Sequence, residues 1–386
     1  MQPDQNPTSD AERVGLGVIA REWGRIGCIG FGGPPTHIAL LRQLCVQRRE
    51  WLSDKEFEDG IAATNLLPGP ASTQLAILCA WRLRGASGAL IGGVCFIVPG
   101  LIAILALATL FLATQPPLWA VGAAAGAGAA VPAVAMHAAV GLIPASWKRA
   151  GAATAARARW ICYLVAGATA AALTGPWLVL VLIISGLIET GIRAPFSGRL
   201  PALPLMVAAP AVATGSGLLA VAWVAAKVGA LSYGGGFVII PLMQHDAVHT
   251  YGWMTDAQFL DAVALGQITP GPVVQTVAVV GYAAAGLAGG LLAALVAFAP
   301  SFAFVLIGGP YLDRLQDNHR VQAFLTGAGA AAIGAIAGST IPLAMALQHP
   351  WQFAVLAATA AWLLVLRKGV VTALVGAGIA GALLIG

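Results

Sequence analysis

The chain has 386 residues, of which 59% are hydrophobic and only 9% charged, against about 25% charged in soluble domains. That composition excludes a water-soluble fold and places the protein in a bilayer. The net charge of +5 does not point to nucleic acid, because the basic residues are spread over short loops between apolar runs, where they act as topology signals.

Residues 1–12 are polar and carry Asp4, Asp10 and Glu12. They lack the basic start and apolar run of a cleavable signal, so insertion is expected to use a retained span. A helix needs roughly 20 apolar residues to cross the hydrocarbon core. In chain order the predicted spans are 13–31, 87–113, 117–143, 160–175 and 176–193, then 205–231, 288–312, 321–347, 350–366 and 369–386. Span 13–31 carries Arg13, Arg21, Glu22 and Arg25 and would also suit the interface; its partner 205–231 is more apolar, so both are read as spans. Thr174-Gly175-Pro176 and Arg367-Lys368-Gly369 separate short paired spans as tight turns. Two further apolar segments, 57–82 and 259–284, are each broken by Pro-Gly-Pro. Lys55 precedes the first, and Arg82 and Arg84 follow it, so it is expected to enter the membrane and return on the same side. Such backbone at membrane depth is tolerated only when buried in protein or lining a wet cavity.

These elements recur at an offset of 202 residues. Phe31-Gly32-Gly33 returns as Tyr233-Gly234-Gly235, Trp51 as Trp253, Asp59 as Asp261, Pro68-Gly69-Pro70 as Pro270-Gly271-Pro272, and Gly88 as Gly290, with no gap expected between them. Six basic residues of the first copy, Arg42, Arg48, Arg49, Lys55, Arg82 and Arg84, face Gln244, Thr250, Tyr251, Ala257, Ala284 and Gly286. Because Lys and Arg collect in cytoplasmic loops, the copies are expected to lie upside down relative to each other, as in many secondary transporters. The fold class is therefore an all-α integral membrane protein with two inverted-topology repeats, 13–199 and 203–386, about ten transmembrane helices and two re-entrant or broken helices. Five spans per half put the basic loops inside and both chain ends outside.

Ionisable residues in apolar segments are functional candidates by default. Arg25 aligns with Lys227, each six residues before an aromatic-Gly-Gly turn, so a pseudo-dyad would bring two cations to one anion. Interface snorkelling, or pairing with Glu22, is the plain structural alternative. The breaks supply backbone amides, because Pro70 and Pro272 can begin new helices with free N–H groups and a positive dipole end. Ser72, Thr73 and Gln74 follow one, Gln275 and Thr276 the other; Gly69 and Gly271 allow close backbone approach, and Gly32, Gly33, Gly234 and Gly235 of the aromatic-Gly-Gly turns join them as candidate substrate-binding residues. Pro68 and Pro270 complete the breaks. Asp59, Asp261 and His37 are candidate proton carriers; His37 faces Ile239 in the second copy, which alone carries His245 and His249. Ser53-Asp54-Lys55-Glu56 and Thr255-Asp256-Ala257-Gln258 fit capping boxes and mark helix starts. The five cysteines, Cys28, Cys45, Cys79, Cys95 and Cys162, form no CxxC pair and no cluster with metal spacing, and no metal or other cofactor is called for.

The blocks Phe31-Gly32-Gly33-Pro34-Pro35-Thr36-His37, Pro68-Gly69-Pro70, Tyr233-Gly234-Gly235-Gly236 and Thr269-Pro270-Gly271-Pro272 resemble the signature blocks of the chromate ion transporter family in its two-repeat form, from about residue 15 to the C-terminus. The resemblance implies gradient-driven efflux of chromate across the bacterial inner membrane, giving chromate resistance. It leaves sulfate and related oxyanions as alternatives, with uptake as the alternative direction, and leaves a homo-oligomer open. The second copy departs from the pattern, with Gly236-Phe237 where the first has Pro34-Pro35. An intramembrane enzyme is the reading from another class. Asp59 precedes Gly60 and Asp261 precedes Ala262, outside any Gly-x-Gly-Asp setting, and no Gly-x-x-x-x-Gly-Lys loop is present.

Overall fold

The computed structural model describes residues 14–65, 67, 69–113, 115–173, 177–193, 217–232, 237–309 and 318–385. Every regular element among them is helical. In chain order these are α1 (Leu16–Ile29), α2 (Pro34–Arg42), α3 (Asp54–Thr64), α4 (Ala71–Phe111), α5 (Leu118–Ala150), α6 (Thr154–Leu173) and α7 (Leu178–Arg193). The second half gives α8 (Leu218–Leu231), α9 (Ile239–Gln244), α10 (Asp256–Ile268), α11 (Thr276–Gly308), α12 (His319–Met345), α13 (Pro350–Ala360) and α14 (Val370–Ile385).

Among the described residues, four helical stretches are long and apolar enough to cross a membrane: Ala71–Phe111, Leu118–Ala150, Val273–Gly308 and His319–Met345. The expectation of about ten spans meets shorter helices elsewhere. The 14-residue helix α1 reaches only about 21 Å at 1.5 Å per residue, well under the roughly 30 Å hydrocarbon core; α8 has the same described length, and residues 205–216 of its expected span lie outside the described residues.

The repeat is visible element by element. Helices α1 and α8 match at both ends at the 202-residue offset, as do the wide π turns Gln43–Arg48 and His245–Thr250 that follow α2 and α9. Both expected capping boxes form, Ser53 with Glu56 and Thr255 with Gln258. Beyond the breaks the offset changes. Helix α4 turns sharply at Arg84-Gly85 and α11 at Ala285-Gly286, with near-identical torsions and φ of 60° and 61° at the glycines, and these positions are 201 residues apart. The gap-free alignment is therefore corrected by one residue. The cause is local: the second copy leaves Pro272 through the 3₁₀ turn Val273–Gln275, where the first starts directly as α-helix at Ala71. Three residues at about 2.0 Å cover the same length as four at about 1.5 Å. Under the corrected register Gln74 matches Gln275, Arg82 and Arg84 match Ala283 and Ala285, Gly88 matches Gly289, and Gly100 matches Ser301.

The sharp turns make hairpins. Gly88 and Gly92 pack against Ala80, and Gly289 and Ala293 against Gly281, so residues 71–83 fold back along 86–111, and 276–284 along 287–308. Gly60 of α3 meets Leu75 and Leu78 while Arg82 donates to the Glu56 carbonyl, so α3 runs antiparallel to 71–83 and the pair forms a helical hairpin around the first break. The long arms of the two repeats then cross. Gly93 lies against Phe302 and Gly290 against Leu105: as one arm rises in number the other falls, and the two are antiparallel.

Outside this centre the halves exchange partners. Helix α5 packs on α13 and α14, whereas α12 packs on α6 and α7. Small residues permit the close approach: Gly122 and Gly126 against Gly381 and Ala377, and Gly167, Gly334 and Gly338 against Ala331, Leu164 and Ala168. Lipid tails are as apolar as leucine, so such backbone contact, more than apolar burial, drives helix association in a membrane.

Candidate functional site

The two Pro-Gly-Pro breaks meet at the crossing, each held by the other repeat. Gly69 donates its N–H to the carbonyl of Ser232 at the end of α8 (2.5 Å), and Gly271 donates to the carbonyl of Gly30 at the end of α1 (3.1 Å). These are equivalent bonds, because Gly30 and Ser232 are 202 residues apart, as are Gly69 and Gly271. Positive φ values at Gly69 (127°) and Gly271 (105°) are accessible to glycine and strained for other residues. Around them lie polar side chains of 1% exposure or less: Ser72, Thr73, Gln74, Ser232, Gln275, Thr276 and Ser301.

Some of these groups are satisfied within the protein. Thr276 donates to the Val273 carbonyl (2.8 Å), and Gln275 Nε2 donates to the Ile97 carbonyl (2.8 Å). Others are not: Thr73 Oγ1, Ser232 Oγ, Ser301 Oγ and Gln275 Oε1 have no hydrogen-bond partner among the described residues. Ser301 Oγ lies 3.2 Å from the place a Cβ on Gly69 would occupy. Buried polar atoms left open in this way carry a desolvation cost unless a ligand or water meets them.

A cavity of about 1010 Å³ leads to the first break. Its inner end is Gly69 and Ala71, its wall includes Thr64 and Asn65, and its mouth carries Lys148, Arg149 and Arg193. Arg193 donates to the Ala150 carbonyl (2.6 Å) and pairs with Glu189, which also binds Arg159 (2.9 Å) and accepts from Tyr163 (3.1 Å). Glu189 thus has two cations for one charge, and Lys148 and Arg149 are exposed at the end of α5. The mouth is cationic and the inner end presents the first turn of a helix, where backbone N–H groups lack intrahelical acceptors. The second break is packed shut by comparison, with Gly100 pressed against the Pro270 carbonyl and Gln275.

The other expected residues fall in distinct places. Gly32 (φ 97°) and Gly33 (φ 77°) form the turn that starts α2. His37 is fully buried between Gly30 and Ser72. Arg25 is exposed, on the side of α1 away from the Trp23 and Gly27 face that meets α4, and Glu22 pairs with Arg49 (3.0 Å). Lys227 is held by Asp246 (2.5 Å) and lies over the Trp223 ring. The pair of converging cations is therefore not assembled: one is outward and the other already neutralised. Asp59 is half-buried on α3. Asp261 is half-buried with Oδ1 facing Gly128 of α5, and no hydrogen bond or ion pair is described for it. Pro68, Gly234 and Gly235 lie outside the described residues.

The family description "Chromate transporter" matches residues 18–190 and again 219–382. The chain belongs to the chromate transporter family. Its relatives include the chromate transport protein of Cupriavidus metallidurans, 32% identical over 331 residues that cover 83% of this chain and 80% of that protein. The chromate transport protein of Pseudomonas aeruginosa is 32% identical over 83% and 79% of the two chains, and a probable chromate transport protein of Synechococcus elongatus is 31% identical over 84% of each. No solved structure matches the chain. Like the family to which it belongs, this is a multi-pass membrane protein.

Within this chromate transporter family chain, sequence reasoning missed Ser232, Ser301 and the Lys148–Arg149 mouth as parts of the site. Ser232 was findable as a polar residue closing an apolar run. Ser301 becomes equivalent to Gly100 only after the one-residue correction, and Lys148 and Arg149 read as loop charges until the fold brings α5 over the first break.

Proposed function

We propose that the chain exports chromate, a divalent oxyanion, across the bacterial inner membrane as a secondary transporter and so confers chromate resistance. The observation that carries this reading is the cavity that runs from a cationic mouth to the N-terminal turn at Gly69 and Ala71. Mouth cations concentrate anions electrostatically. Backbone amides, the Thr73 and Ser301 hydroxyls and the helix dipole suit an oxyanion stripped of water. The reciprocal bonds of Gly69 and Gly271 and the antiparallel arms support two inverted repeats, 13–199 and 203–386, turning about one central site. With the basic mouth cytoplasmic, the described cavity is the inward-facing one. A membrane potential of 100 mV, negative inside, contributes about 2.3 kcal/mol per charge, hence roughly 4.6 for a dianion, favouring exit. Asp261, a carboxylate with no described cation beside it, is the proposed proton carrier of the second repeat. Uptake of sulfate or a related oxyanion is the alternative and would need coupled cations.

The test is transport by the purified chain in liposomes with labelled chromate and sulfate under imposed voltage and pH gradients. Chromate movement toward the positive side, abolished by Gly69→Val, is the expected result. Sulfate accumulation against the potential with no chromate flux would replace the proposal with the uptake reading.

A further inference from the structure

His37 ties the first break to both repeats. Its ring is wedged in place: a Cβ on Gly30 would fall 2.8 Å from Cδ2 and 2.9 Å from Nε2, and the Phe96 ring stands edge-on at 5.1 Å. Nε2 lies 2.9 Å from the Gly30 carbonyl and Nδ1 lies 3.1 Å from Ser72 Oγ. The same Gly30 carbonyl accepts the N–H of Gly271. The groups facing the ring from α1, α4 and the second break are therefore a carbonyl, a hydroxyl, an aromatic edge and a backbone amide, with no formal charge among them.

These partners fix the tautomer. A carbonyl only accepts, so Nε2 carries the hydrogen, and Nδ1 of the neutral ring must accept from the Ser72 hydroxyl. Ser72 is the second residue of the helix that starts at the break, next to Ala71 at the inner end of the cavity. While its O–H points at His37 it presents only lone pairs elsewhere, which repel an anion. When Nδ1 takes up a proton, both ring nitrogens are donors and Nδ1–H donates to Ser72 Oγ. The serine keeps its own proton, which rotates away from the ring and toward the helix N-terminus. One proton bound thus adds one positive charge behind the break and turns one acceptor into one donor. The second repeat has no such pair: Ile239 stands opposite His37, and only Val273 and Val274 lie between Pro272 and Gln275, where the first repeat has Ala71, Ser72 and Thr73.

We propose that His37 and Ser72 form a proton-operated hydroxyl switch that couples proton uptake to oxyanion binding at the first Pro-Gly-Pro break. The proposal rests on the oxyanion reading of that site. His37 acts through Ser72 as a positioning residue, and the switch couples one proton to the binding of one anion, while the proton proposed for Asp261 belongs to the transport step and not to binding.

The experiment measures binding of sulfate, whose own charge is constant over the range, and of chromate in parallel, to the full chain in lipid nanodiscs between about pH 5.5 and 8.5, the range in which imidazole titrates. In the unaltered chain affinity is expected to fall about tenfold per pH unit above the ring's titration point, with net uptake of up to one proton per anion in weakly buffered solution. His37→Gln and Ser72→Ala should bind with pH-independent affinity and no proton uptake, and Ser72→Thr, which restores a hydroxyl, should regain both. Nitrogen NMR of the His37 ring in the unaltered chain gives a readout free of substitution: saturating sulfate should move it to the doubly protonated form. A pH slope or proton uptake retained in His37→Gln, or a ring that stays neutral with sulfate bound, overturns the switch while the oxyanion site stands. Binding of neither anion by the unaltered chain overturns the site and the switch together.

Discussion

At the scale of residues, the Lys227–Asp246 pair explains why matching charges between copies misled. Alignment placed Lys227 opposite Arg25, but the partner that decides its role, Asp246, has Leu44 as its counterpart, so no repeat comparison could reveal it. The carboxylate is 8% exposed. Asp246→Leu should lower stability in detergent by about 2–3 kcal/mol, because a part-buried ammonium loses its partner, and adding Lys227→Met should recover most of that loss. Equal melting temperatures for the single variant and the parent would refute the pairing and return Lys227 to the anion site. A second residue-scale expectation concerns Glu50, which holds φ of 50° where the second copy has Gly252 at 60°. Left-handed backbone costs an ordinary residue about 1–2 kcal/mol, so Glu50→Gly should raise stability by up to about 1 kcal/mol after glycine's own entropy is counted, seen as a slightly higher melting temperature. A lowered melting temperature would count against the turn geometry. The site itself was partly legible: the breaks, Ser72, Thr73 and His37 stood out as polar or helix-breaking residues in apolar runs. Their open hydroxyl partners from the other half did not, because contact across a crossing leaves no local pattern.

At the scale of elements, hairpins and caps were readable because their signals are local: Pro-Gly-Pro, the two capping boxes and the flanking basic residues. The sharp turns inside α4 and α11, at Arg84-Gly85 and Ala285-Gly286, fall in the gaps expected between 57–82 and 87–113 and between 259–284 and 288–312; what the sequence did not show is the positive φ that folds each hairpin back on itself. The packing of the long arm of α4 on the second break depends on Gly100, whose Cα faces the Pro270 carbonyl with no room for a methyl group. Gly100→Ala should therefore overpack the centre at a cost of about 1–3 kcal/mol and slow transport, whereas Gly141→Ala, with open space around it, should do neither. Matching thermal shifts for the two variants would show that α4 does not approach the second break as described.

At the scale of the whole molecule, the proposed inversion of the repeats would place equivalent loops on opposite faces. Single cysteines at Gln47 and His249, in the paired π turns and in a background without native cysteines, should react with impermeant maleimide from opposite sides of the membrane; reaction from one side would rule out inversion. The exchange of helices carries a further expectation. Because α5 packs on α13 and α14 while α12 packs on α6 and α7, neither half holds its own outer helices. Two polypeptides divided at residue 203 should be degraded when made singly and co-purify when made together; a stable, monodisperse first half would contradict the exchange. The bond from Gly69 to Ser232 also sets an order of events on the ribosome. The first break reaches the bilayer long before its acceptor has been synthesised, and an unmet backbone amide in lipid is costly. Until the second half emerges, the nascent chain is expected to keep that hairpin near the water-filled mouth of the insertion machinery, and pulse-labelled chains truncated before α8 should accordingly be more protease-sensitive at the first break than chains extended beyond it.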